Sequence, residues 1–151
     1  MNFEAIQHIP MSQQAHGIDP NHVVFRLRAG RDDLKHCTLF YADRACRLTP
    51  VIFSSVEMQV EAQDEWFDYF QVILESPYKR ICYYFELDDG TQKLLYYGDF
   101  FTDHRVDDRS EYYQLPFNHP ADIAAPPAWA RDAVVYNIFP DSFATGRRFI
   151  S

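Results

Sequence analysis

Along "HVVFRLRA", residues 22 to 29, apolar and polar positions alternate, with Val23, Phe25 and Leu27 on one side of an extended chain and Val24, Arg26 and Arg28 on the other. Successive side chains of a β-strand point to opposite faces, so this run predicts a strand with one buried and one wet side. Six further runs rich in β-branched and aromatic residues read as strands: "FEAIQHI" (3–9), "CTLFYA" (37–42), "VEMQVEA" (56–62), "EWFDYFQVILE" (65–75), "ICYYFEL" (81–87) and "KLLYYGDF" (93–100). Between the last two, "DDG" has hairpin chemistry: Gly90 supplies the positive φ that a tight reversal needs and Asp89 tolerates it. These two strands are therefore expected to be antiparallel neighbours. About seven to eight short strands with no amphipathic helix between them predict an all-β fold, an immunoglobulin-like antiparallel β-sandwich. The Cys, Trp and Cys pattern of true immunoglobulin domains is absent.

After Tyr113 the pattern stops. "QLPFNHPADIAAPPAWARD" carries Pro116, Pro120, Pro126 and Pro127, which remove backbone donors and push the preceding residues toward extended conformations. Residues 1–114 are thus expected to form the sandwich and residues 115–132 a linker, with one helical turn near Pro127. "AVVYNIFP", residues 133–140, is apolar on both faces, as suits a parallel strand covered on each side. Partners for such a strand are missing, and 151 residues are too few for two well-formed domains. Val134, Val135, Tyr136, Ile138 and Phe139 are expected to lie against the sandwich or a second molecule.

Composition supplies a core: 47% apolar and 17% aromatic residues, with 13 Phe and 10 Tyr, exclude disorder for most of the chain. A net charge of −8 without a clustered basic face argues against nucleic acid or an anionic membrane as partner. "MNFEAIQHIP" lacks the basic start and apolar run of a signal peptide, and no apolar run reaches membrane-spanning length, so a cytoplasmic protein is expected. Cys37, Cys46 and Cys82 match neither a zinc nor a disulfide spacing and read as small buried hydrophobes.

Candidate chemistry is sparse. None of the 22 acidic residues stands in a catalytic motif, and the cluster Asp103, His104, Asp107 and Asp108 is better explained as a solvated loop than as a cation site. Six histidines show no HExxH spacing, and neither a phosphate loop nor a GxSxG elbow occurs. No catalytic residue, metal or cofactor is assigned to this segment. Aromatic rings remain: sugars present apolar C–H faces that stack on exposed Trp and Tyr planes, and Trp66, Tyr69, Tyr83 and Tyr84 are the candidate carbohydrate-binding residues. In "DEWFDYF" the alternation sets Trp66, Asp68 and Phe70 on one face and Phe67 and Tyr69 on the other.

"PPAWARDAVVYNIFPDSFATG", residues 126–146, resembles the segment that opens the catalytic barrel of the neopullulanase, cyclomaltodextrinase and maltogenic amylase group of the α-amylase superfamily. Trp129, Asp132, Val134, Tyr136, Ile138, Phe139, Pro140, Asp141, Phe143, Ala144 and Gly146 fit its pattern. Upstream, "EAIQHIP", "HVVFRLRAGRDDLKHCTLFYAD", "DEWFDYFQVILESPYKRICYYFEL" and "LYYG" resemble, in order and spacing, that group's amino-terminal β-sandwich, assigned to a starch-binding module class.

The resemblance implies that residues 133–151 begin a TIM barrel and that the parent is an intracellular, retaining α-glucan hydrolase acting on cyclodextrins, maltodextrins or pullulan. Its catalytic acids are then expected beyond Ser151, leaving this segment inactive alone. The implied partners of the sandwich are α-glucans or cyclodextrins, its own catalytic domain and a second subunit in a homodimer. A purely structural or dimerising sandwich without sugar affinity is the alternative. Relatives carry a Trp after the third strand, whereas "ADRACRL" (42–48) has no aromatic; Ser142 replaces the usual Arg. Thr145 replaces an Asn that begins a calcium loop in some relatives, so calcium belongs to the parent's possible cofactors and not to this segment.

Overall fold

The computed structural model describes residues 1–98, 100–123 and 126–138. Ten strands follow one another: β1 (Ala15–Gly17), β2 (His22–Gly30), β3 (His36–Asp43), β4 (Ser54–Glu57), β5 (Gln59–Gln63), β6 (Phe67–Glu75), β7 (Ile81–Asp88), β8 (Lys93–Tyr97), β9 (Phe100–Thr102) and β10 (Tyr113–Leu115). Among the described residues there is no α-helix, only 3-10 turns at Phe3–Ala5, Pro120–Asp122 and Ala128–Arg131. The strands form two antiparallel sheets, one ordered β1-β2-β6-β5 and the other β4-β3-β7-β8-β9 with β10 beside β7. An all-β sandwich is what alternating runs of this length produce when each has one apolar face to hide.

Between the sheets, β2 contributes Val23, Phe25, Leu27 and Ala29, all fully buried, and β6 contributes Phe70 and Leu74. They meet Cys37 and Leu39 of β3 and Ile81, Tyr83, Phe85 and Leu87 of β7. A second apolar cluster covers the other face of β7, where Cys82 and Tyr84 pack with Tyr97, Tyr112, Val51 and the half-buried Phe53. Two loops make that cover, and arginines hold them together: Arg105 donates to the carbonyl of Val51, and Arg109 to the carbonyls of Cys46 and Leu48. The central strand of the second sheet, β7, is thereby covered on both sides. The first sheet keeps an open outer face, on which Ile73 is 54% exposed and every residue of β5 is exposed.

The β7–β8 hairpin forms as its turn chemistry predicts, with Phe85 opposite Tyr96, Asp88 opposite Lys93 and Gly90 at φ +86°. Four strand expectations change. "KLLYYGDF" is not one strand: Lys93–Tyr97 is β8, and Phe100 belongs to β9, which pairs antiparallel to β8 with Tyr97 opposite Phe100. "FEAIQHI" is not a strand: Phe3–Ala5 is a 3-10 turn, and only Gln7 bridges to Arg28. "VEMQVEA" is two strands in different sheets, β4 on β3 and β5 on β6, joined at Met58, which is 2% exposed and accepts from the Cys37 thiol at 3.6 Å. Gln114 and Leu115, at the start of the proline-rich stretch, pair with Cys82 and Ile81 in β10. Cys37 and Cys82 are buried and Cys46 half-buried, all free thiols, and burial pushes the Cys82 thiol up to about 11.

The expected packing of the apolar carboxyl-terminal run on the sandwich does not occur. Val134, Val135, Tyr136 and Ile138 are 96%, 81%, 81% and 54% exposed, and residues 133–138 pair with no strand. The physical reason is that both core-bearing surfaces are already closed, one by the facing sheet and the other by the two arginine-held loops. Phe139, Pro140 and Asp141 lie outside the described residues.

Candidate functional site

The hairpin between β5 and β6 is built by one carboxylate. Asp64 Oδ1 accepts from the backbone N–H groups of Trp66 (2.8 Å) and Phe67 (2.7 Å), and Oδ2 accepts from the Tyr69 hydroxyl at 2.7 Å. These donors, the Tyr69 hydroxyl first, hold Asp64 below the usual carboxylate range, and the same bond raises the Tyr69 phenol. Arg31 ties the tip to the turn after β2: its N–H donates to the Trp66 carbonyl at 2.9 Å and its Nη1 to the Asp64 carbonyl at 2.8 Å. Asp68, 2% exposed, points inward and accepts from Asp32 N and Gln63 Nε2, each at 2.8 Å. Trp66 therefore stands 68% exposed on a backbone fixed from both sides.

Next to the tip, the open face presents aromatic and polar side chains in rows set by strand register. Ala62, Tyr69 and Arg28 form one row across β5, β6 and β2, and Gln59, Gln71 and Arg26 the next. The Arg28 guanidinium lies 4.2 Å from the Phe67 ring centroid, and Arg26 Nε donates to Gln71 Oε1 at 2.6 Å. Two clefts flank this surface. One of about 440 Å³ runs between the amino-terminal turn and the tip, walled by Asn2, Arg31, Asp33, Glu65 and Trp66. The other, about 350 Å³, is lined by Arg26, Glu61, Ala62, Tyr69 and Gln71. Aromatic planes beside donors and acceptors can stack a sugar ring and orient its hydroxyls.

Residues 1–119 match the family described as "Alpha amylase, N-terminal ig-like domain". The chain belongs to that family. This α-amylase amino-terminal Ig-like domain is 33% identical to Neopullulanase 2 of Thermoactinomyces vulgaris, over 97% of its own length and 25% of that protein's. It is 28% identical to the Intracellular maltogenic amylase of Bacillus subtilis, over 100% of its own length and 26% of the relative's. A solved structure named Cyclomaltodextrinase superposes with a TM-score of 0.78 at 29% identity, over 90% of this chain and 23% of that one. The chain thus spans about a quarter of the length of these relatives.

In this Ig-like domain the four ring candidates separate. Trp66 and Tyr69 come together through Asp64 on the open side. Tyr83 and Tyr84 are not surface rings: Tyr83 is 0% and Tyr84 4% exposed, because β7 is the central strand covered on both faces. Tyr83 O–H reaches His8 Nε2 at 2.9 Å, and Tyr84 stacks on Phe40 at 4.9 Å under the loop cover; burial raises both phenols. Trp66 does not share a face with Asp68 and Phe70 either, since it precedes the strand, and the alternation starts at Phe67. Of the barrel-opening residues, Trp129 is 68% exposed on the last 3-10 turn, closed by the Asp132 N–H donating to its carbonyl at 3.3 Å, while Tyr136 is exposed. Asp103, His104 and Asp107 are exposed, with partners in their own loop. Among the described residues no three His, Cys, Asp or Glu side chains converge as a metal site would require. Sequence reasoning passed over Asp64, whose position two residues before Trp66 suits an Asx turn, and over Glu61 and Gln71, which carry no sequence signal.

Proposed function

We propose that this chain is the amino-terminal domain of an intracellular α-glucan hydrolase of the cyclomaltodextrinase or neopullulanase type, and that it shapes substrate access by contacting the glucan. The observation that carries this reading is Trp66, 68% exposed on a hairpin locked by Asp64 and Arg31. A large ring held outward at the cost of its burial is what a saccharide-stacking surface needs. The names of the relatives support the glucan as ligand class, and one of those names supports the cytoplasm. The retaining catalytic acids, and any calcium, belong to the remainder of the parent protein. A second reading, contact with another subunit or with the parent's own catalytic domain, is favoured by the exposed Val134, Val135 and Tyr136 and by an apolar groove of about 590 Å³ beside Met11, Ile18 and Phe117.

Titration with β-cyclodextrin separates the two. The chain has two tryptophans, so in a Trp129→Phe background the fluorescence reports Trp66 alone. A saturable change is expected in that background, with affinity reduced about tenfold in Trp66→Ala measured by calorimetry. Silence to millimolar ligand, together with a dimer mass in light scattering, would replace glucan binding by subunit contact.

A further inference from the structure

The open face carries a second feature that the Trp66 tip does not explain. In β5 the register against β6 shifts between Val60 and Ala62, so Glu61 is an inserted residue. A bulge of this kind re-aims a side chain at the expense of ladder pairing. Glu61 lines the cleft of about 350 Å³ beside Tyr69, and among the described residues its carboxylate has neither a hydrogen bond nor an ion pair. Ala62, opposite Tyr69, is small and lines the same cleft as that ring. The ring itself is fixed, because its hydroxyl donates to Asp64 at 2.7 Å. Gln71 is oriented as well: its Oε1 accepts from Arg26 Nε at 2.6 Å, which leaves its amide N–H groups as donors to the cleft. Arg26 is anchored at its other end by donating from Nη1 to the Gln13 carbonyl at 3.2 Å.

We propose that Tyr69, Glu61 and Gln71 form a subsite for one neutral glucosyl unit of an α-glucan, separate from the Trp66 contact. The inference rests on the glucan-binding reading above and assigns it a second, distinct place. The chemistry is complementary: the apolar C–H face of a pyranose packs on Tyr69, two adjacent hydroxyls donate to the Glu61 carboxylate, and the Gln71 amide donates to a hydroxyl oxygen. The negative Glu61 and positive Arg26 balance one another, which favours an uncharged polyol over an anion. A cleft of about 350 Å³ stands at the small end of ligand sites and suits a single ring. With one stacking plane and two polar groups, it extends the grip of the tip along a chain instead of binding tightly by itself.

Maltotriose titrated into the 151-residue chain, followed by backbone amide shifts in NMR, tests the subsite. Two groups of signals are expected to move, one at Trp66 and Phe67 and one at Ala62, Tyr69 and Gln71. Glu61→Ala and Gln71→Ala, both outside the core, should each weaken the second group's response about three- to tenfold while the first persists. Trp66→Ala should leave the second group responding. If both cleft variants bind like the parent and the Trp66 response remains, the subsite is wrong and the glucan reading stands. If neither group moves at millimolar sugar, the glucan reading falls and the subsite with it.

Discussion

Gly17→Ala is expected to destabilise the domain by about 3 kcal/mol, although Gly17 sits in a three-residue edge strand. A Cβ at Gly17 would lie 1.9 Å from Asn118 Oδ1 and 2.8 Å from its Cγ, distances no relaxed contact allows. Asn118 cannot simply turn away. It is 5% exposed, its Nδ2 donates to the Asp19 carbonyl at 3.0 Å, and its backbone N–H donates to the Lys79 carbonyl at 2.8 Å. Moving it strands a buried amide as well as forcing the strand, so an overpacking cost of about 1–3 kcal/mol and an unsatisfied-donor cost of similar size add. Urea unfolding should show the midpoint falling with an unchanged slope. Asn118→Ala placed on top of Gly17→Ala should recover part of the loss, because it removes the clash, whereas Asn118→Ala alone destabilises. A Gly17→Ala protein within about 0.5 kcal/mol of the parent would sink the argument, since that is the scatter of ordinary surface substitutions.

That contact joins residues 101 apart in a part of the chain whose composition suggests only a linker. Asn118 follows Pro116 and precedes Pro120, and nothing local marks it as buried. The sandwich itself was legible where one face of a strand was apolar, as in β2, and where a turn demanded particular residues, as at Gly90. It was not legible where alternation continued through a change of sheet. In "VEMQVEA" the series Val56, Met58, Val60 keeps one apolar face unbroken, yet Met58 is the corner between β4 and β5; hydrogen-bond partners, unlike faces, leave no periodic trace. The site followed the same division. Exposed aromatics could be nominated, but only a strand's place in the sheet decides which stay outside: β6 has one covered face and leaves Tyr69 on the surface, whereas β7 is covered twice and buries Tyr83 and Tyr84. The apolar run at 133–138 points the opposite way, because an apolar sequence records a need for cover without naming the surface that supplies it.

His8 should make the domain lose about 2 to 3 kcal/mol of stability between pH 7 and pH 4.5. Its ring is 5% exposed, set among Tyr83, Phe85 and Tyr113. Nδ1 lies 2.6 Å from the Arg26 carbonyl and must donate to it; Nε2, 2.9 Å from the Tyr83 hydroxyl, then accepts. The neutral Nδ1–H tautomer satisfies both bonds, while a proton on Nε2 would force Tyr83 to turn its own hydrogen away inside the core. Burial accordingly lowers the His8 pKa from 6.5 to about 4, against a smaller opposing effect of the Arg26 carbonyl. The sign follows: the unfolded chain takes up the proton near pH 6.5 and the folded chain only near pH 4, so stability is full above the first value and declines toward the second. Asp19, Asp64, Asp103 and Asp108, whose pKa values are lowered in the fold, add their losses only at and below the ordinary carboxylate range. The loss due to His8 therefore falls in the interval from pH 6.5 down to about 4.5. Urea midpoints across that interval should fall less steeply for His8→Gln than for the unsubstituted chain, and His8→Gln starts lower at pH 7 because it loses the packing of the imidazole. A parent profile that is flat over the interval, or a His8→Gln profile that drops as steeply, would show that this buried imidazole does not govern the acid side of the stability curve.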